Sequence, residues 1–133
     1  MDVTMLLCDR AQVAEGKLYV LGAGWNLVGA GFPFPCEVAV LIEVPWTATN
    51  EKHDFVLRLL NDDGEPVEVG GGAIEIQGQF EVGRPPGVKP GSALNQNMTF
   101  KFGMLQLPPS GYVFEFSMAD QVLARRPFQV GDA

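Results

Sequence analysis

His53 is the only histidine in the chain, so a Ser-His or Cys-His catalytic pair would have to use it. It stands in Thr49-Asn50-Glu51-Lys52-His53-Asp54, a polar lead-in to a strand, and reads as a solvated loop residue. Ser92, Ser110 and Ser117 all lie outside any G-x-S-x-G elbow. Cys8 and Cys36 each sit in an apolar segment, without the CxxC spacing of a zinc site. They read as two small buried hydrophobes. A carboxylate pair for glycoside hydrolysis needs two acids facing each other. Glu37, Glu43, Glu75, Glu81 and Glu115 instead fall on the outward parity of their strands, where solvation is expected. The expectation is a protein without catalytic residues, not an enzyme.

Two further patterns carry possible ligand chemistry. Gly22-Ala23-Gly24 and Gly29-Ala30-Gly31 resemble pieces of a phosphate-cradling loop, which needs G-x-G-x-x-G opening a helix after a strand. Leu27 breaks the spacing, Trp25 to Val28 reads as strand, and no Lys-Ser or Lys-Thr follows. The glycines are read as bends between sheets. Asn61-Asp62-Asp63-Gly64-Glu65 holds the oxygens of a calcium loop, with Asp9 and Asp120 as further ligands if their loops meet at one pole. Asp-Gly between strands is equally a hairpin signal, because Gly accepts positive φ, and the turn is the preferred reading. No cofactor and no metal are expected.

The elements that would position these residues are short alternating strands. Ile74, Ile76, Phe80 and Val82 share one parity against Glu75, Gln77, Gln79 and Glu81, giving one dry and one wet face. Cys36, Val38, Val40, Ile42 and Val44 do the same, as do Phe55, Leu57 and Leu59, and Tyr112, Phe114, Phe116 and Met118. The spacing predicts strands over 2–8, 17–28, 36–44, 53–61, 65–69, 73–82, 97–107, 111–119 and 121–130, separated by Gly, Pro, Asn and Asp. Asp9 to Glu15 is read as a helical turn or loop. The predicted core comprises Val38, Val40, Ile42, Phe55, Leu57, Leu59, Ile74, Ile76, Phe80, Phe100, Phe102, Phe114 and Phe116.

Parity fails twice. Phe100, Phe102 and Met104 are even and Leu105 and Leu107 odd, with Gly103 at the switch suggesting a bulge. In the last strand Val122, Ala124, Phe128 and Val130 turn Arg126 inward, and Pro127 suggests an edge or a bulge there. Residues 83–95 contain three prolines and three glycines and read as an exposed irregular loop. The apolar loop 29–35 either plugs the core or makes a contact surface. Trp25, Phe32, Phe34 and Trp46, the aromatics nearest to turns, are the possible interface residues, since aromatics dominate binding hot spots.

At 133 residues one domain, 1–133, is expected, large enough to bury a core without staples. A hydrophobic content of 47% is too high for disorder. The formal charge of −7 opposes nucleic-acid binding and adhesion to an anionic membrane surface, and it favours solubility. Val38 to Val44, interrupted by Glu43, is far short of a bilayer span. The start Met1-Asp2-Val3-Thr4 lacks a basic region and reads as a first strand, not a signal peptide. A cytoplasmic setting follows as the expectation, and with it reduced thiols.

Leu7-Cys8-Asp9-Arg10-Ala11-Gln12-Val13, then Gly16-Lys17-Leu18 and Leu21-Gly22-Ala23-Gly24-Trp25, resembles a bacterial family of uncharacterised small proteins. The motif match spans roughly the first 25 residues. Gly111 to Val130 resembles the last hairpin of immunoglobulin-like sandwiches. The resemblance implies a β-sandwich and a bacterial source, and supplies no activity. The expected fold is thus all-β, an antiparallel sandwich of immunoglobulin-like or C2-like type. The expected function is a non-enzymatic interaction or assembly module, self-associating as a homo-oligomer or binding another protein. A small-ligand or carbohydrate binder comes second, and a hydrolase third.

Overall fold

The predicted alternation becomes two packed sheets, as seen in a computed structural model that describes residues 1–29 and 31–132. Among the described residues twelve strands run in chain order: β1 Asp2–Cys8, β2 Arg10–Ala14, β3 Lys17–Leu21, β4 Leu27–Val28, β5 Phe34–Val44, β6 Lys52–Asn61, β7 Glu68–Val69, β8 Gly72–Ala73, β9 Glu75–Glu81, β10 Leu94–Leu105, β11 Ser110–Met118 and β12 Gln121–Val130. A 3-10 turn, Trp46–Ala48, follows β5. One sheet has the order β1-β5-β10 and the other β4-β12-β11-β6-β9. The pairings are antiparallel except the short parallel contact of β4 with β12 at Gln129–Val130. The architecture is an antiparallel β-sandwich.

The core forms where the inward rows of the two sheets meet. Val38, Val40, Ile42 and Val44 of β5 lie against Phe55, Leu57 and Leu59 of β6 and Phe114 and Phe116 of β11, all within one buried cluster. Phe55 stacks on Phe116 at 5.4 Å between centroids, and Phe114 on Phe128 at 5.8 Å. Gly78 of β9 leaves the space that the Phe55 ring fills; a Cβ there would collide with the ring at Cζ. Every predicted core residue belongs to this cluster, with Ile74, Ile76 and Phe102 only partly buried at its margin.

Asp9 to Glu15 departs from the helical-turn reading. Arg10–Ala14 is a strand that pairs with β3, and the resulting hairpin covers the outer face of the three-stranded sheet. Cys8, Ala11 and Ala39 form a second buried cluster there, with Leu18 and Val20 against it. This cover overturns the expected solvation of Glu37. Its side chain is buried, accepts a hydrogen bond from the Ala11 amide at 2.7 Å, and lies 3.7 Å from Arg10. A buried carboxylate is retained only with such partners. Glu43, Glu75 and Glu81 are exposed as expected, whereas Glu115 is half-buried and ion-paired to Arg125 at 3.0 Å.

The predicted strand 17–28 is split by residues 22–26, and 65–69 shrinks to Glu68–Val69. The switch at Gly103 is a bulge: φ is +67°, the register shifts between Lys101 and Met104, and Met104 faces solvent. In β12 the irregularity lies at Leu123, not at Pro127, which pairs regularly with Val113. Val122 is consequently exposed. Arg126 pairs with Phe114 on the core side, and its Nε donates to the Met5 carbonyl of β1.

Phe114 is fully buried. Phe114→Ala is expected to lower unfolding free energy by about 3–5 kcal/mol, the range for deleting a buried Phe side chain. Urea denaturation checks this, and a midpoint equal to wild type would refute the assigned core face.

Candidate functional site

A two-sheet sandwich has two lateral seams, and here they differ. Along the first, β1 faces β12. The Met5 carbonyl accepts from Arg126, and the Leu7 carbonyl accepts from the Gly24 amide at 3.4 Å. Trp25 packs behind them, edge-on to Phe34 at 5.9 Å and to Phe128 at 5.8 Å. Along the second seam β9 and β10 are the terminal strands of their sheets, and among the described residues no backbone hydrogen bond joins them. Ile74, Ile76, Val82, Met98 and Phe102 reach the core there but remain half-exposed. Among the described residues β10, 12 residues long, therefore pairs backbone to backbone only with β5.

At the end of that row lies an apolar pole. The antiparallel register places the end of β1, the start of β5 and the end of β10 together, since Cys8 pairs with Glu37 and Leu105 with Phe34. Leu21, Leu27, Phe32 and Met104 all sit at this pole and are 70%, 63%, 77% and 62% exposed. Met104 was hidden from parity reasoning because the bulge reverses its face; Gly103 was the signal for it.

The four aromatics expected at an interface do not make one surface. Phe34 is buried and Trp25 half-buried, and both belong to the core. Their packing shows that this part of the 29–35 loop is a plug. Phe32 alone points outward, two residues before Phe34. Ala30 lies outside the described residues. Trp46 lies at the opposite end of β5, beneath the Arg84 guanidinium at 3.7 Å from the ring centroid. Arg84 also donates to Thr49 Oγ1 at 2.6 Å and to the Trp46 carbonyl at 2.8 Å, so this ring is clamped, not offered.

The residues that raised chemical possibilities have structural partners. His53 Nε2 lies 2.7 Å from the Ala48 carbonyl, and its ring packs on Phe80, which replaces the solvated-loop reading. Cys8 and Cys36 are free and buried, the first in the outer cluster and the second in the main core. Burial, with Glu37 and Asp9 nearby, pushes the Cys8 thiol up to about 11; burial, with Cys8 and Glu37 nearby, pushes Cys36 to about 12. Asn61 Oδ1 accepts from the amides of Asp63 and Glu65 at 2.9 and 3.0 Å, and Gly64 has φ +76°: the stretch is a turn. Asp120 lies in the β11–β12 turn, at the other pole from Asp62 and Asp9. Among the described residues no group of three or more His, Cys, Asp or Glu side chains is placed to hold a metal. Two shallow depressions of about 400 and 470 Å³ flank Asp62, Tyr112 and Pro127, but the Tyr112 ring is stacked inward on Phe128 at 5.6 Å.

A family model described as a family of unknown function (DUF6941) matches residues 3–131. The chain belongs to that family, and the similarity runs through nearly its whole length, well beyond the first 25 residues that carry the motifs. No curated protein matches the chain. Among the described residues no helix is long and apolar enough to cross a membrane.

Two outcomes follow from these placements. Phe34→Asp puts a charge into the core and is expected to unfold the protein or lower its melting temperature steeply, whereas Phe32→Asp should stay within about 0.5 kcal/mol of wild type, as exposed substitutions do. Thermal melts of both variants check the contrast; equal losses would refute it. The unfolded chain ionises its thiols near the ordinary value of 9.0, the folded chain only at about 11 and about 12. The unfolded state therefore loses protons first, and stability falls as pH rises above about 9. Urea midpoints at pH 8 and pH 10 should differ in that sense, and replacing both cysteines by alanine should flatten the difference.

Proposed function

We propose that this member of the family is a non-enzymatic interaction module that associates with itself. The observation that supports this reading most directly is the unequal closure of the sandwich. One seam is capped at two carbonyls, while the other leaves the outer side of the longest edge strand open, beside a pole carrying Phe32, Leu27, Leu21 and Met104. Exposed edges pair and exposed apolar patches associate. The chemically versatile side chains, by contrast, are engaged in holding turns, clusters and clamps. An immunoglobulin-like topology is the finer reading of the sandwich. The parallel β4–β12 contact supports it, as does the Tyr112 hydroxyl, which donates to the Pro108 carbonyl at 2.6 Å, like the tyrosine corner of such folds. Two free, buried cysteines fit a reducing setting, and a bacterial cytoplasm is the setting read for this chain.

Light scattering at micromolar concentration tests the reading. The expected mass is twice 14.4 kDa or a higher closed multiple. A monomer across the concentration range would refute self-association.

A further inference from the structure

We propose that two copies join through β10, paired antiparallel about a two-fold axis at Met98, so that two three-stranded sheets become one of six. This rests on the self-association reading and names its geometry. Three of the four margins of the two packed sheets argue against self-pairing. The β12 edge carries Arg125, Arg126 and Pro127, with Arg126 already bonded to Met5, and β4 occupies its end. The β1 edge has its Met5 and Leu7 carbonyls taken. A β9 edge paired with itself about Gly78 would set Glu75 opposite the partner's Glu81, twice by symmetry.

β10 differs in length, charge and register. Leu94–Leu105 contains one charge, Lys101, in a chain of formal charge −7, so acidic copies repel each other least along this strand. The regular ladder with β5 runs from Leu94 to Lys101, ahead of the register shift at Phe102–Gly103, and Met98 lies beside its midpoint. Pairing about that centre sets Lys101 opposite the partner's Asn95 and Asn97 opposite the partner's Thr99. Within each copy Lys101 stands opposite Glu37 and Asn95 opposite Glu43 on β5. Across the joined sheet the outward row then reads Glu43, Asn95, the partner's Lys101, the partner's Glu37. Each lysine lies between carboxylate strands, and no like charges meet. On the inward side Met98 meets the partner's Met98 and Phe102 meets the partner's Leu94, covering side chains that are half-exposed in one copy. The bulge shifts the register beyond Lys101, which limits growth of the pairing past Phe102.

Single and paired cysteines test both strand and register. Directly opposed Cα atoms in an antiparallel pair lie about 5 Å apart, within disulfide reach. Met98→Cys, oxidised natively and quenched by alkylation, is expected to give a disulfide-linked dimer on a non-reducing gel. Asn95→Cys alone is not, and Asn95→Cys with Lys101→Cys is; that outward pair also serves if Met98→Cys disturbs the core. Asn95→Lys places a lysine beside its own Glu43, which the monomer tolerates, but opposite the partner's Lys101 at two symmetric contacts. It should weaken the dimer about tenfold while the melting temperature of the dilute monomer holds. A wild-type protein that stays monomeric overturns this inference and the proposed function together. An oligomer that neither cross-links at these positions nor weakens with Asn95→Lys overturns β10 pairing alone and leaves self-association standing.

Discussion

The link between Arg126 and the Met5 carbonyl decides which side of the sandwich is finished. Two sheets packed face to face leave backbone groups unpaired at both margins, and those groups must find partners or water. Here the β1 margin is satisfied from the opposite sheet by a side chain, helped by Gly24 from the following loop. Arg126 can do this because it pairs with Phe114 and so projects on the core side of a strand with no neighbour there. An inward arginine on such a strand would be costly in a closed barrel. At an open margin it keeps one sheet registered on the other and blocks foreign strands at once. Among the described residues no backbone hydrogen bond closes the opposite margin.

β5 carries a second constraint, being covered on both faces. Its inward row meets the other sheet, and its outward row meets the β2–β3 hairpin at Glu37 and Ala39. Among the described residues Glu37 is the one buried carboxylate, and the Ala11 amide and Arg10 that meet it both come from the hairpin. The cover and the charge therefore stabilise each other. Cys8 belongs to the same arrangement, donating its thiol to the Glu37 carbonyl at 3.3 Å. The segment that carries the family-like motifs is thus the segment that wraps the outer face of the small sheet.

Much of this was readable from period-two alternation, because burial on one face writes itself into strand sequence. The rows from Cys36, Phe55 and Tyr112 onward have that form, and they make the core. Asp9 to Glu15 hid its strand for a physical reason. β2 buries only Ala11 deeply and leaves Val13 partly exposed, so its pattern is set by what the hairpin covers and not by its own alternation. The two bulges show the same limit. At Gly103 a residue tolerant of positive φ marks the break, whereas the Leu123 bulge has no such marker and moved Val122 to the surface unannounced. Phe32 and Phe34 share parity, yet β5 begins only at Phe34, so one residue is core and the other is not.

The surface acids give the open edge its meaning. On the outer face of the five-stranded sheet Glu75 is held by Arg58 at 3.0 Å, Glu115 by Arg125 at 3.0 Å, and Asp54 by Gln79 at 2.8 Å. The carboxylates of that face already have partners, so it gains little from a second copy, since ion pairs near the surface contribute little. The other outer face lies under a hairpin. Lateral growth through β10 is what the distribution of charge and cover leaves, and it asks for no new surface. The ladder that orders β5 against β10 would simply continue by one more strand.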